Sequence, residues 1–267
     1  RHENRCTVSF MYELVIVGAG RMGGAVLTGL LKQQVFPAAR IGIYHPNAAR
    51  REFLANHYGV QPATEKDVAE AKRVLLGVKP QSFSKVQPLV NQPDRLVISI
   101  MAGITLRQLA AATGSNHVVR AMPNLGASLG LSATAFAATP EVPPAELATA
   151  TEIFAAVGQV FPVSESQFDA FTGMAASGVA FAAVVADALG DGGVRVGIDR
   201  DMSRELARQV LLATAHLLEE KHPSALKDEV CSAGGTAISG VRTIEQHGLR
   251  FALIDAVEAA TKQASEM

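Results

Sequence analysis

Cysteine is scarce in this chain, with only Cys6 and Cys231 among 267 residues. Two thiols so far apart exclude a disulfide framework and offer no zinc-ligand spacing, which suits a reducing cytoplasm. A surplus of one charge is also lacking: 24 lysines and arginines stand against 25 aspartates and glutamates. That balance leaves no electrostatic footprint for nucleic acid or another polyanion. No apolar run reads as an unbroken membrane span, because the Ala-rich stretch Ala180 to Leu189 is interrupted by Asp187. The 7 histidines include no pair four residues apart beside an acid, so no metal is expected. The first ten residues, RHENRCTVSF, have no periodicity and no signal-peptide core. We set residues 1–10 aside as an upstream segment.

What is present favours a packed interior: 48% of residues are hydrophobic and 18% charged. From Tyr12 onward, short β-branched runs alternate with helix-like segments. The strands expected are Leu14 to Val17, Ile41 to Tyr44, Val74 to Val78, Leu96 to Ile100, Val118 to Met122, Ala133 to Ala138 and Gln159 to Val163. Helices are expected over Met22 to Lys32, Ala48 to Asn56 and Pro144 to Val157. Strands alternating with helices imply βαβ units and a parallel sheet. Beyond Ser164 the strand signals stop, and helical spacing runs through Phe168 to Val196, Asp201 to Glu220 and Leu249 to Ser265, with Asp199 as an N-cap. The expected fold class is therefore α/β. A Rossmann-type domain over 11–163 is followed by an all-helical domain over 164–267. The first long helix is crowded with small residues from Gly173 to Ala183, a surface for close helix packing within the domain or across a subunit interface. The amount of helix relative to domain size favours a dimer.

The stretch VIVGAGRMGGAV places Gly18, Gly20 and Gly23 in a G-x-G-x-x-G array between a strand and a helix. Gly18 permits the tight turn, Gly20 lets backbone amides approach a pyrophosphate, and Gly23 allows close helix–strand contact. The helix start, with Arg21 and Met22, then attracts the phosphates. An NAD site usually ends its second strand with an acid that binds the ribose hydroxyls. Here that strand ends in His45, Pro46 and Asn47, followed by Arg50 and Arg51. Asn47 and the arginines suit a 2′-phosphate, so NADPH is the expected cofactor, with NADH as the alternative.

A Gly-x-Gly-x-Met-Gly start ahead of a helical domain fits two groups of dehydrogenases. One reduces ketones using a lysine of the first long helix, but Phe168 to Leu189 contains none. The other reduces a C=N bond, whose nitrogen is basic enough to protonate near neutral pH and asks little of an enzymic acid. GAGRMG (18–23), VKPQ (78–81), SIMAGIT (99–105), RAMPN (120–124), DALGDGGVRVGI (187–198) and LKDEVCSAGGTAISG (226–240) occur in an order and spacing that resemble the pyrroline-5-carboxylate reductases. The resemblance runs over nearly everything from Met11. It implies that Val78, Lys79 and Pro80, together with Ala102 and Gly103, line the nicotinamide site, and that Met122, Pro123 and Asn124 lie beside the cofactor. It implies further that Ser232, Ala233, Gly234, Gly235 and Thr236 hold the substrate carboxylate on helix-start amides. The helical domains would interlock in a homodimer, or in a larger assembly built from it. The small-molecule partner would be a cyclic imino acid.

Several positions depart from that family's pattern. Ala237 replaces a usual hydroxyl residue, Ala233 replaces a usual proline, and Leu125-Gly126-Ala127 replaces Thr-Pro-Ala after Asn124. The Ser-Gly-Ser-Gly-Pro-Ala-Tyr motif of the family's long helix becomes Ala175 to Phe181, keeping Ser177. Because Ala237 lacks the hydroxyl, Thr236 or a water is left to hydrogen-bond the ring nitrogen. These changes cluster around the substrate, so three readings stay open: the family's usual imine, a larger or less polar cyclic imine, or a non-catalytic NADP-binding relative. Cys231 has no histidine near it in sequence and reads as a small pocket-shaping residue rather than a nucleophile. His216 reads as packed or solvated. Asp228 and Glu229 are expected to cap or solvate a helix.

Overall fold

The computed structural model describes residues 12–266, so the upstream segment and Cys6 lie outside it. The described residues fall into two compact units. One runs to Thr172 and includes the last residues from Ala264; the other spans Gly173–Gln263.

The first unit is built on one eight-stranded sheet. In chain order it holds β1 (Leu14–Val17), α1 (Arg21–Lys32), β2 (Ile41–Tyr44), α2 (Ala48–Tyr58), β3 (Gln61–Pro62), α3 (Glu65–Glu70), β4 (Arg73–Leu76) and α4 (Phe83–Val90). β5 (Leu96–Ser99), α5 (Leu106–Thr113), β6 (Val118–Met122), β7 (Ser132–Ala138), α6 (Pro144–Ala155), β8 (Gly158–Pro162) and α7 (Phe168–Phe171) follow. The sheet order is β3-β2-β1-β4-β5-β6-β7-β8. The central strands β1, β2, β4 and β5 are buried at every position, which is why they read as continuous apolar runs. Their residues alternate between two cores. Leu14, Ile16, Ile43, Leu75 and Ile98 pack with α1 and with Phe154 of α6. Val15, Val17, Val74, Leu76 and Val97 pack with Val68, Val86 and Leu109 of α3, α4 and α5.

Two strands depart from the expected parallel sheet, β7 and with it β8: β7 pairs with β6 in antiparallel register, Arg120 opposite Ala137. The connection from Pro123 to Leu131 contains only a 3₁₀ turn over Leu125–Leu129. A parallel crossover needs a dozen or more residues, so this short link must reverse direction. α6 then supplies a full crossover, and β8 returns parallel to β7. The two-residue edge strand β3 escaped the pattern because Gln61–Pro62 is too short to show a period.

At the N-terminal ends of the strands, the buried guanidinium of Arg73 donates to Glu146 (2.5 and 2.8 Å) and to Glu13 (2.9 Å). Burial pushes the Glu13 carboxyl up, but hydrogen bonds and charge from Arg40, Lys72 and Arg73 outweigh it and hold the group below its usual range. Near the end of the unit, Arg120 bonds Glu165 (3.0 Å) and lies over the Phe168 ring (4.3 Å). Phe168 in turn packs on Ala135 and Ala137. This clip explains why the segment before Gly173 packs with the sheet.

The second unit is helical throughout: α8 (Gly178–Arg195), α9 (Arg200–Leu217), α10 (Pro223–Val230), α11 (Thr236–Gln246) and most of α12 (Leu249–Ser265). The pattern predicts one helix over 168–196, but a π-helical turn over Thr172–Ala176 divides α7 from α8. A side chain at Gly173 would collide with the backbone of Thr261 and Val257, so α12 packs directly on that turn. Asp199 caps α9 as expected, accepting from Asp201 and Met202 N–H groups. Gly193 of α8 sits against Ser203 of α9, a close small-residue contact beyond the stretch from Gly173 to Ala183. The helical stretch Glu165–Arg195 is long and apolar enough, by length and composition, to cross a bilayer. This corrects the expectation that Asp187 breaks every such run, since one acid leaves the mean hydropathy of the window high.

Candidate active site

The dinucleotide end is built at the carboxyl ends of β1, β2 and β4, where ligands of open α/β sheets gather. Gly18 leaves β1 at φ +95°, and a Cβ there would lie 2.7–2.9 Å from Val78 and Gly77. That backbone and that approach are open only to glycine. A Cβ on Gly20 would meet nothing within 4 Å, so its bare backbone faces open space. Gly20 is also the N-cap of α1, and no side chain caps the first-turn amides of Arg21, Met22 and Gly23. An uncapped, glycine-cradled helix start is what a pyrophosphate requires.

Beside it lies a cleft of ≈ 360 Å³. Gly18 and Gly20 form its floor. His45 and Arg50 line one side, and Val78 and Lys79 line the other. Among the described residues no carboxylate lines it. At the end of β2, the Tyr44 hydroxyl donates to Glu65 Oε1 at 3.3 Å. Burial first, then the Glu65 charge, raise the Tyr44 phenol above its usual range, so it remains a neutral donor. The residues present therefore fit a dinucleotide.

Not every expected cofactor residue reaches this cleft. Asn47 caps α2 by accepting from the Arg50 N–H at 2.9 Å. Pro80 opens a 3₁₀ turn after Lys79. Ala102 and Gly103 are exposed beyond the end of β5, Gly103 at φ +72°. Asn124 follows β6, and its side chain accepts from Gly126 N–H at 3.0 Å. Three polar residues that sequence reasoning missed do line the cleft: Tyr44, Ser82 and Lys85. The three-residue spacing of Ser82 and Lys85 at a helix start was the available signal.

In the helical unit, the loop between α10 and α11 is only Cys231 to Gly235. Gly234 takes φ +68°, and Gly235 N–H closes a turn onto the Ser232 carbonyl at 3.0 Å. The Gly235 amide is thus committed, whereas α11 begins at Thr236 with no side-chain cap on its first turn. Thr236 is exposed and Ala237 half-buried in that turn, and Ser232 and Ala233 are exposed. Ser177 is half-buried at the start of α8. Asp228 and Glu229 are paired with Lys227 (2.7 Å) and Lys221 (2.5 Å), consistent with structural roles. Cys231 is a free, half-buried thiol. His216 is exposed and paired with Glu219. The loop can bind an anion, but among its residues only hydroxyls and a thiol could share a proton.

Comparison with known proteins matches residues 165–267 to the family described as pyrroline-5-carboxylate reductase dimerisation, and residues 13–103 to NADP oxidoreductase, coenzyme F420-dependent. A pyrroline-5-carboxylate reductase of Thermus thermophilus is 43% identical over 95% of this chain and 98% of its own length. The solved structure of a pyrroline-5-carboxylate reductase from Coxiella burnetii superposes with a TM-score of 0.88 at 28% identity, covering 96% of this chain and 98% of the other. The fold is shared too with the Plasmodium falciparum pyrroline carboxylate reductase solved with NADP bound, at a TM-score of 0.82 and 23% identity over 96% and 97% of the two chains. With that identity and coverage, the chain belongs to the pyrroline-5-carboxylate reductase family, oxidoreductases acting on a CH–NH group.

Proposed function

We propose that this protein reduces the C=N bond of pyrroline-5-carboxylate to give proline, with NADPH as the hydride donor. When bound, the cofactor supplies the hydride that goes to the imine carbon. The ring nitrogen, protonated before or during the step, becomes the secondary amine. The observation that carries the reading is the uncapped start of α11 behind Ser232 to Gly235. It offers amides to a carboxylate and places no strong acid or base among them, which is what an iminium substrate tolerates. Thr236 is the group we assign to the ring nitrogen, since its hydroxyl has no other partner among the described residues. Gly18, Gly20 and the first turn of α1 hold the pyrophosphate. His45 and Arg50 serve the 2′-phosphate, while Asn47 caps α2; the choice is supported by a cleft lined, among the described residues, by no carboxylate.

The protein works as a cytoplasmic homodimer joined through its helical domain, taken as 164–267. That assignment rests on the dimerisation family match and on the exposed apolar faces of α8, α9 and α12. The apolar face of α8, within the stretch Glu165–Arg195, belongs to that interface rather than to a membrane. NADPH oxidation measured against a panel of cyclic imines and hydroxy acids tests the activity. Turnover of pyrroline-5-carboxylate is expected, and cofactor binding without turnover of any imine would sink the proposal. A second reading, a different preferred imine, is favoured by the half-buried Ala237 in the first turn of α11. On that reading, Ala237→Thr raises activity on pyrroline-5-carboxylate relative to larger imines; an unchanged ratio discards it.

A further inference from the structure

The dinucleotide cleft has two walls, and the roles given above to the 2′-phosphate lie on one of them. His45 and Arg50 come from the end of β2 and from α2. The facing wall carries Lys79, then Ser82 and Lys85 at the start of α4. Lys85 belongs to none of the sequence motifs and is exposed. Among the described residues no carboxylate pairs with Arg50, Lys79 or Lys85, whereas Lys72, Arg73 and Arg120 of the same unit all have acidic partners. Arg50 instead lies over the Phe53 ring at 4.9 Å. Cations left unpaired around a slot with no acid are a standing site for an anion. The pyrophosphate is already accounted for at the start of α1. The second anion of the cofactor sits on the adenosine ribose, which belongs at the end of β2.

We propose that Lys85 is a second cation for the 2′-phosphate, reaching from the α4 wall toward the group that Arg50 meets from α2. Preference for NADPH over NADH then depends on both walls of the cleft and not on the β2 end alone. This rests on the NADPH reading above. The chemistry suits the residue: an ammonium on a flexible stem acts as a point charge and needs no fixed geometry to pair with phosphate.

The test uses the full-length protein and two cofactor fragments, 2′,5′-ADP and 5′-AMP, with affinities measured by calorimetry. Wild type is expected to prefer 2′,5′-ADP. Lys85→Met should weaken 2′,5′-ADP about tenfold while leaving 5′-AMP unchanged, and Lys85→Arg should retain most of the preference. Lys85→Met should also flatten the salt dependence of 2′,5′-ADP binding, because one cation fewer is screened. Arg50→Met should produce a loss of the same kind, and the double variant about a hundredfold loss if the two act independently. Equal weakening of both fragments would assign Lys85 to the adenine or the 5′-phosphate and overturn the proposal, as would no weakening at all. If wild type does not distinguish the fragments, the NADPH reading itself falls, and this proposal with it. Lys85 is exposed, so the variants are expected to fold, and an unchanged circular dichroism spectrum checks that.

Discussion

Burial differs sharply between the two units of this chain. In the sheet unit, Leu14, Ile16, Leu75 and Phe154 are fully buried among one another and their neighbours. In the unit spanning Gly173–Gln263, Ala207 is the lone buried hydrophobic residue among those described, while Val184, Leu206, Val210, Phe251 and Ile254 stand exposed. Both units are built of regular elements, so secondary structure does not distinguish them. Closure does: a parallel sheet covered on both faces by its own helices completes a core within one chain. Helices with apolar faces and nothing of their own chain over them need a partner, and large exposed apolar patches on a regular element mark where it docks. The match of this half to a dimerisation family agrees with that physics.

The comparison can be broken most severely on the helical side. Leu206 and Val210 lie four residues apart on α9, 48% and 54% exposed, and so share a face. The double substitution Leu206→Glu with Val210→Glu is expected to weaken self-association by about a hundredfold or more and to cost much of the helical ellipticity, because charge at a desolvated interface is unpaired. Sedimentation velocity and circular dichroism read this. A variant that stays dimeric at the same concentration would remove that face from the interface.

The opposite effect is expected in the sheet unit. Phe154→Ala deletes a fully buried ring from the core under α6. It should destabilise that unit by about 3–5 kcal/mol in urea titration and leave the dimer dissociation constant unchanged below the transition. A shift in association comparable to the loss of stability would mean that the two units do not stabilise independently.

A smaller, pH-dependent effect sharpens the contrast. Glu13 is held below its ordinary pKa in the fold, so its stabilising contribution is present above the unfolded value and is lost as pH falls through the folded one. The ordinary glutamate value is near 4.5. The sheet unit should therefore lose stability as pH drops below about 4.5, and Glu13→Gln should flatten that loss. Thermal melts across the acid range check it. An unchanged acid slope in the variant would show that the Arg40, Lys72 and Arg73 contacts do not couple to folding.

Legibility from sequence varied for identifiable reasons. The strands β1, β2 and β6 were read to the residue, and β4 and β5 nearly so, because strands buried on both faces are dominated by apolar residues. The direction of β7 was missed, since apolar content is the same for either direction and only the length of the 123–131 link decides it. The π turn over Thr172–Ala176 was invisible because small residues satisfy helical spacing with or without it. At the cofactor end, Gly18 and Gly20 announced themselves through spacing. Lys85 did not, because a lone lysine at a helix start looks like any solvated charge until the opposite wall is seen. In the loop before α11, sequence placed a helix start correctly along the chain but counted the Gly235 amide as free. The fold spends that amide on a turn to Ser232.

By itself, the sequence determined the class of the protein. Periodicity separated the sheet half from the helical half, glycine spacing marked a dinucleotide turn, and the missing lysine and missing acid narrowed the chemistry. Each of these depends only on neighbours along the chain, within a turn or a strand. Tertiary structure alone decided which cations face one another across the cleft, which loop amides remain free, and which apolar faces are left without a core. Those depend on residues far apart in sequence being brought to a common place, and no local pattern carries that information.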